Sequence, residues 1–268
     1  MIRPVRYYGG KSDMWPIIQN MIPKHSHYCE PFFGGGTVFF LKDPVKIETI
    51  NEKDPIVYNF YHQLQTNFDE LASMVESTLY SEYAYREARK IITGKMAVSD
   101  VRQAWAFFIL VNFSRARSMD GGFVINNDAG NSGKIGRFAA GWAGVRRDFM
   151  YYKGRLDNVQ LLCRDGVDVM RAVLLNEECW AYIDTPYVGA DQGHYSGYKL
   201  DEFLKLLDVL VDCKCMWLLS SYNVPELEAY TVKHRWNKLE VEKHNKINGK
   251  RKVEVLTWNY RLEQKKLF

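Results

Sequence analysis

Three consecutive glycines, Gly34-Gly35-Gly36, sit directly after a short apolar segment and directly before a helix-forming one. A backbone without side chains at that point belongs to a sharp strand-to-helix turn, or to a place where a ligand approaches the main chain closely. Either use makes the N-terminal region the start of an α/β unit. The surrounding pattern agrees, with a helix expected over 12–21, a strand over 27–30, the turn Pro31-Phe32-Phe33-Gly34-Gly35-Gly36, and a helix through Leu41. Val45, Ile47 and Thr49 then alternate with Lys46, Glu48 and Ile50, the period of a strand that delivers Asn51 and Glu52 to its C-terminal end. This is the opening of a parallel, doubly wound sheet.

The alternation then stops for about a hundred residues. Ile56, Phe60 and Leu64 recur at helical spacing, and the helical pattern continues to about Ser114. Between 115 and 144 the composition turns to Gly, Asn, Ser and Ala with interspersed Arg and Lys, which reads as hairpin or loop. Strands are expected again over 159–163, 179–183 and 215–219, with helices over 167–174 and 200–211. Two final strands, 235–242 and 253–260, flank Asn248-Gly249, a dipeptide suited to a tight hairpin. The expected organisation is an α/β domain from 1–55 and 156–268, interrupted by a mostly helical insert, 56–155.

A chain of 268 residues, 47% of them hydrophobic, can bury one sizeable core. Its longest apolar run, 104–111, is too short to cross a bilayer, and the N-terminus lacks the charged-then-apolar order of a signal peptide, so a soluble cytoplasmic protein is expected. The five cysteines are scattered without zinc-like paired spacing, so reduced thiols and no structural metal are expected. Cys213 and Cys215 are read as packing rather than ligating, and His25 and His27 as turn or surface residues. The net charge of +4 is a weak bias, but its distribution is uneven. Residues 134–155 hold six basic residues against one acid, Asp148, and residues 243–252 hold five against none. Such clusters are either a track for a polyanion or solvated faces.

Two segments carry chemistry. At the first, an acid at the end of the strand after the glycines, Glu52, can accept both hydroxyl protons of a ribose. No Gly-Lys-Ser/Thr follows the glycines, which argues against a triphosphate and for a nucleoside. At the second, Asp184-Thr185-Pro186-Tyr187 ends the apolar strand with a carboxylate, a stiffened turn and a ring. A strand cap and turn would have this composition. It also suits a specific difficulty: the exocyclic nitrogen of adenine is a poor nucleophile because its lone pair is delocalised into the ring. Asp184 and the carbonyl of Thr185 can each accept one amino hydrogen, favouring a pyramidal nitrogen aimed at an electrophilic methyl group. Tyr187 can stack on a base flipped out of a duplex.

With these segments in this order, the sequence resembles the Dam-type family of DNA adenine methyltransferases, whose signature is an Asp-Pro-Pro-Tyr tetrad far downstream of a glycine-rich segment. Tyr7-Tyr-Gly-Gly-Lys11 is similar to the family's N-terminal cofactor motif and Glu30-Pro31-Phe32-Phe-Gly34-Gly-Gly36-Thr37 to its glycine motif. The segment 248–256, Asn-Gly through Glu254-Val-Leu, is similar to its C-terminal segment. The resemblance implies a class I S-adenosylmethionine-dependent methyltransferase fold, a Rossmann-like mixed sheet with a helical target-recognition insert. It implies S-adenosylmethionine as cofactor, held by Tyr7, Lys11, Glu30, Pro31, Phe32, Gly34, Gly36, Thr37, Glu52, Asp165 and Asp184, with Asp165 meeting the adenine ring. Asp184, Thr185, Pro186 and Tyr187 would be catalytic, with no metal and no membrane. The expected acceptor is the N6 amino group of adenine at a specific site in double-stranded DNA, the expected enzyme a cytoplasmic monomer, and a restriction–modification role fits the family.

Thr185 departs from the family, which has proline there. Threonine supplies the same carbonyl but lacks the ring that fixes φ, so the turn is less preorganised. A catalytically weakened DNA-binding relative therefore stands as one alternative. A methyltransferase acting on RNA stands as another, since the tetrad reports the amino nucleophile better than the polymer around it. For the nucleic acid, Arg115, Arg117, Lys134 and Arg137 are expected at phosphates and guanine edges, with Lys250 and Arg251 in a second phosphate-contacting strip. Arg146, Arg147, Lys153 and Arg155 form either a further contact face or a solvated helix face. The glycine-containing loop 189–193, before His194 and Tyr195, is expected to close over the flipped base.

Overall fold

The computed structural model describes residues 11–114, 119, 121–125, 137–188, 198–244 and 251–262. Seven strands are found among them: β1 (His27–Glu30), β2 (Ile47–Asn51), β3 (Val159–Leu162), β4 (Cys179–Asp184), β5 (Met216–Tyr222), β6 (Asn237–His244) and β7 (Arg251–Trp258). They form one sheet in the order β3-β2-β1-β4-β5-β7-β6. β1 pairs in parallel with β2 and β4, and β4 with β5, whereas β7 runs antiparallel to both β5 and β6. A parallel core closed at one edge by an antiparallel pair is the mixed sheet of the class I methyltransferase fold. β6 and β7 stay in register from Asn237↔Trp258 to His244↔Arg251. The Asn248-Gly249 turn lies outside the described residues.

The helices are α1 (Trp15–Met21), α2 (Thr37–Leu41), α3 (Pro55–Thr66), α4 (Phe68–Ser77), α5 (Glu82–Ile92), α6 (Asp100–Phe113), α7 (Arg137–Arg147), α8 (Phe149–Leu156), α9 (Gly166–Val173), α10 (Leu200–Val211) and α11 (Pro225–His234). By their contacts the residues divide into two units. One takes the residues up to Asp13, Gly34–Lys42 and Lys53–Cys163. The other takes Met14–Phe33, Asp43–Glu52 and the chain from Arg164 onward.

In the first unit the apolar run 104–111 becomes the middle of α6, buried on every side from Ala104 through Val111. A helix that is apolar all round is a core helix. Phe108 stacks on Phe60 of α3 at 5.1 Å, and Trp142 meets Phe113 edge-on at 5.0 Å. No helix among the described residues is long and apolar enough to cross a membrane. Local chemistry sets the starts: the Asp54 carboxylate accepts from the Ile56 N–H at 2.8 Å ahead of Pro55, and the Ser99 hydroxyl accepts from the Arg102 N–H at 3.3 Å. Part of the segment read as loop, 115–144, is instead helical, since α7 begins at Arg137. The solvated-face reading of the following basic residues also needs correction at Arg155. Its guanidinium lies 3.8 Å over the Phe39 ring and donates to the Phe39 carbonyl at 3.0 Å.

In the second unit β4 is buried from Cys179 through Ile183 and emerges only at Asp184. An uninterrupted apolar run of that kind marks a strand covered on both faces. Helix α10 runs over the twelve residues expected of it, with the Lys199 N–H donating to the Glu202 carboxylate at 3.0 Å.

Candidate active site

In a parallel sheet, functional groups gather where strands end, because the loops beyond them are free of ladder bonds. In the second unit the chain leaves β1 at Glu30, β2 at Asn51-Glu52 and β4 at Asp184. Glu30 is 2% exposed, and its Oε2 accepts from the Tyr28 hydroxyl at 2.6 Å along the same strand. Burial, and then Glu30 itself, hold the Tyr28 phenol well above its ordinary pKa, so it remains a donor. Glu52 is 4% exposed at the end of β2.

Asn51 ties these ends together. Its Nδ2 donates to the carbonyls of Pro31 at 2.9 Å and Arg164 at 3.0 Å, while its Oδ1 accepts from the Arg164 N–H at 2.9 Å. Its own carbonyl accepts from the Phe33 N–H at 3.0 Å. One buried amide thus fixes the turn after β1 and the turn that carries Asp165. Asp165 caps α9, its carboxylate accepting from the Val167 N–H at 2.9 Å. Beside it the Phe32 ring lies against Gly166 so closely that a Cβ there would stand 2.5 Å from the ring edge. Tyr198 meets Phe32 edge-on at 6.4 Å. An aromatic face, carboxylate acceptors near the strand ends and a glycine that makes room for the ring are an arrangement that fits a nucleoside.

The tetrad follows. Asp184 is half-buried, opposite Ser220 in the β4–β5 register. Thr185 is 3% exposed, and its hydroxyl makes no hydrogen bond among the described residues. Tyr187 is 8% exposed; its hydroxyl donates to Glu254 Oε1 and lies 3.5 Å from Ser220 Oγ, and its ring is 4.2 Å from that of Tyr222. Tyr182, on β4, is fully enclosed. Burial first, then Asp184, Tyr187, Glu254 and Glu30, push its phenol far above the usual range, so it is neutral at every physiological pH.

The glycine segment belongs to the first unit. Gly34 and Gly36 take the left-handed φ values of 49° and 58°, which other residues adopt only at a cost of about 1 kcal/mol or more. The helix they open, α2, has only five residues. Three side chains of that unit hold the segment. Tyr61 donates to the Gly34 carbonyl at 2.8 Å, Tyr151 to that of Phe40 at 3.3 Å and Arg155 to that of Phe39. The last two satisfy carbonyls that a short helix leaves without partners. Thr37 and Lys11 are buried in the same unit, at 5% and 3% exposure.

A model of the D12 class N6 adenine-specific DNA methyltransferases matches residues 7–253. The chain belongs to that family. The match takes in the glycine segment, Glu52, Asp165 and the tetrad. The Type II methyltransferase M1.LlaDCHI of Lactococcus lactis subsp. cremoris is 37% identical over 76 residues, which are 28% of this chain and only 26% of that protein. Among solved structures, precorrin 8W decarboxylase from Methanobacterium thermoautotrophicum aligns over 93% of this chain and 90% of its own, with a TM-score of 0.39 and 8% identity. An S-adenosylmethionine-dependent methyltransferase from Agrobacterium tumefaciens aligns over 47% of each chain, with a TM-score of 0.28 and 12% identity.

Of the residues singled out in the sequence, Glu30, Pro31, Phe32, Glu52, Asp165 and Asp184 to Tyr187 all fall in the second unit, and Lys11, Gly34, Gly36 and Thr37 in the first. Tyr7, Arg115, Arg117, Lys134, Lys250 and the loop 189–193 lie outside the described residues, as do His194 and Tyr195. Arg137 and Arg251 are placed by their backbones alone, as the first residues of α7 and β7. Gly166, Tyr182 and Ser220 went unnoticed in the sequence, and Asn51 was placed at the end of its strand without a role. Only Asn51 carried a signal, a polar side chain at the buried end of an alternating strand. Among the described residues no cluster of His, Cys, Asp and Glu could hold a metal ion.

Proposed function

We propose that this chain transfers a methyl group from S-adenosylmethionine to N6 of adenine in double-stranded DNA, with the target base flipped out of the helix. The observation that carries the reading is the end of β4. An otherwise buried central strand brings one half-exposed carboxylate, Asp184, to its C-terminal end, followed by Thr185 in a proline-stiffened turn and by a ring anchored at its hydroxyl.

Asp184 and the Thr185 carbonyl act as paired acceptors for the two amino hydrogens, drawing the nitrogen lone pair out of conjugation. A fixed pair of acceptors costs no reorganisation when charge develops, which is where such sites gain most of their rate. The Tyr187 face offsets the few kcal/mol, roughly, of stacking lost on extrusion. Family membership and the fit of Glu52, Asp165 and Phe32 to a nucleoside support S-adenosylmethionine as donor. Its sulfonium supplies an already activated methyl group. Tyr7, Lys11, Glu30, Pro31, Gly34, Gly36 and Thr37 complete that site in this reading.

The α/β domain, 1–55 and 156–268, carries this chemistry, and the insert, 56–155, recognises the target. Arg115, Arg117, Lys134 and Arg137 serve the recognition, with Lys250 and Arg251 on phosphates. Arg155 is left out, because it is spent on the Phe39 carbonyl and ring. The enzyme is taken to work as a cytoplasmic monomer. The test is to incubate the chain with labelled S-adenosylmethionine and mixed-sequence unmethylated duplex DNA, then to identify the methylated nucleoside. N6-methyladenine is expected. Label on cytosine, or on single-stranded RNA in preference to DNA, would refute the reading.

A further inference from the structure

We infer that Glu254 is a positioning residue for the Tyr187 ring, so that a single carboxylate on the antiparallel strand β7 sets the geometry of the tetrad on the parallel strand β4. The inference rests on the function proposed above and adds to it a residue of the same site.

Tyr187 lies beyond the end of β4, where no ladder bonds hold the chain, and a tyrosine there has two side-chain torsions to fix. They are fixed from outside. The hydroxyl donates to Glu254 Oε1, Ser220 Oγ donates to the same oxygen at 2.9 Å, and the ring lies against Tyr222. The register explains the meeting: Asp184 stands opposite Ser220 across β4–β5, and Glu254 opposite Tyr222 across β5–β7. Three neighbouring strands therefore contribute to one small cluster in which Glu254 is 3% exposed.

Burying a carboxylate is costly, and an apolar side chain would fill the same volume at lower cost. What an apolar side chain cannot do is hold a phenol by its oxygen. A hydrogen bond to a charged acceptor is directional, so it selects one orientation of the ring where packing alone tolerates several. A stacking face must be parallel to the base it receives, and small errors of placement are expensive in rate.

The experiment uses the full chain with Glu254→Ala, Glu254→Gln, Tyr187→Phe and the double variants, assayed for methyl transfer to duplex DNA. Glu254→Ala should lower kcat about tenfold or more, in keeping with a lost hydrogen bond to a charged group, while KM for the methyl donor stays within about threefold. Glu254→Gln, which keeps an acceptor at the same reach, should fall between it and the unsubstituted enzyme. In the Tyr187→Phe background, either Glu254 substitution should cost little more, because the bond is already gone. Losses that multiply independently in the double variants would overturn the inference, as would unchanged kcat in both single Glu254 variants. Should Glu254→Ala fail to fold, the Glu254→Gln and Tyr187→Phe pair carries the same comparison. If the unsubstituted chain transfers no methyl group to any DNA, the underlying reading falls and this inference with it; if that chain is active and the cycle is additive, only the inference falls.

Discussion

Gly166 shows how much of a site can depend on an atom that is missing. With the Phe32 ring edge 2.5 Å from where a Cβ would stand, alanine at 166 must displace the ring from beside Asp165. Forcing a methyl group into packed surroundings costs about 1–3 kcal/mol. Gly166→Ala should therefore weaken binding of S-adenosylmethionine about tenfold by calorimetry, while the thermal midpoint moves by only a few degrees, roughly. Unchanged affinity would remove Phe32 from the cofactor site. None of this was legible in the sequence, because residues 32 and 166 follow β1 and β3, two strands that are brought together only with β2 between them. The same separation hid what Asn51 does, since its partners are at Pro31 and Arg164. The tetrad and Glu52 could be read because each needs only its place at the end of one strand. The sequence also indicated that Thr185 keeps the carbonyl while giving up the ring of proline. Its buried hydroxyl, with no hydrogen bond among the described residues, adds nothing visible in exchange.

Strands with continuous apolar runs were easy to place, and so was α10, whose bounds, Leu200–Val211, coincide with the expected ones. Helix α7 was not, because Ala139, Ala140, Gly141 and Gly144 gave its first part the composition of a loop. The spacing of Trp142 and Val145, both buried, was the signal that composition masked. At the level of strands, β1 carries a titrating link. His27 Nδ1 takes the Asn176 amide at 3.0 Å and its Nε2 meets Thr49 Oγ1 on β2 at 3.0 Å, an arrangement that suits a neutral ring. Burial lowers its pKa below the ordinary 6.5. The unfolded chain therefore takes up a proton before the folded chain does, and stability present above pH 6.5 is lost as the pH falls through the folded value. The thermal midpoint should drop more steeply below pH 6.5 in the unsubstituted protein than in a His27→Gln variant. Parallel curves would show that this ring does not gate the stability of β1.

Across the whole molecule, the near-balance of 36 basic and 32 acidic residues says little, whereas where the charge is spent says more. Arg146 donates to the Glu76 carbonyl, Lys153 pairs with Asp157, and Arg155 holds the backbone of α2. These three of the six basic residues in 134–155 therefore have partners within the protein, an outcome that a count of charges along the chain could not foresee. The order of the motifs carried further than composition did, since it led to the class I sheet and to a family matched over residues 7–253. In the proposed function two acceptors, the Asp184 carboxylate and the Thr185 carbonyl, activate an adenine amino group. The direct measurement is single-turnover methyl transfer by Asp184→Ala alongside its affinity for S-adenosylmethionine. The rate should fall by about a hundredfold to a thousandfold, as when one preorganised group is removed from a reacting centre, with the affinity changed less than about tenfold. Transfer at near the unsubstituted rate, or a loss confined to cofactor binding, would contradict this activation.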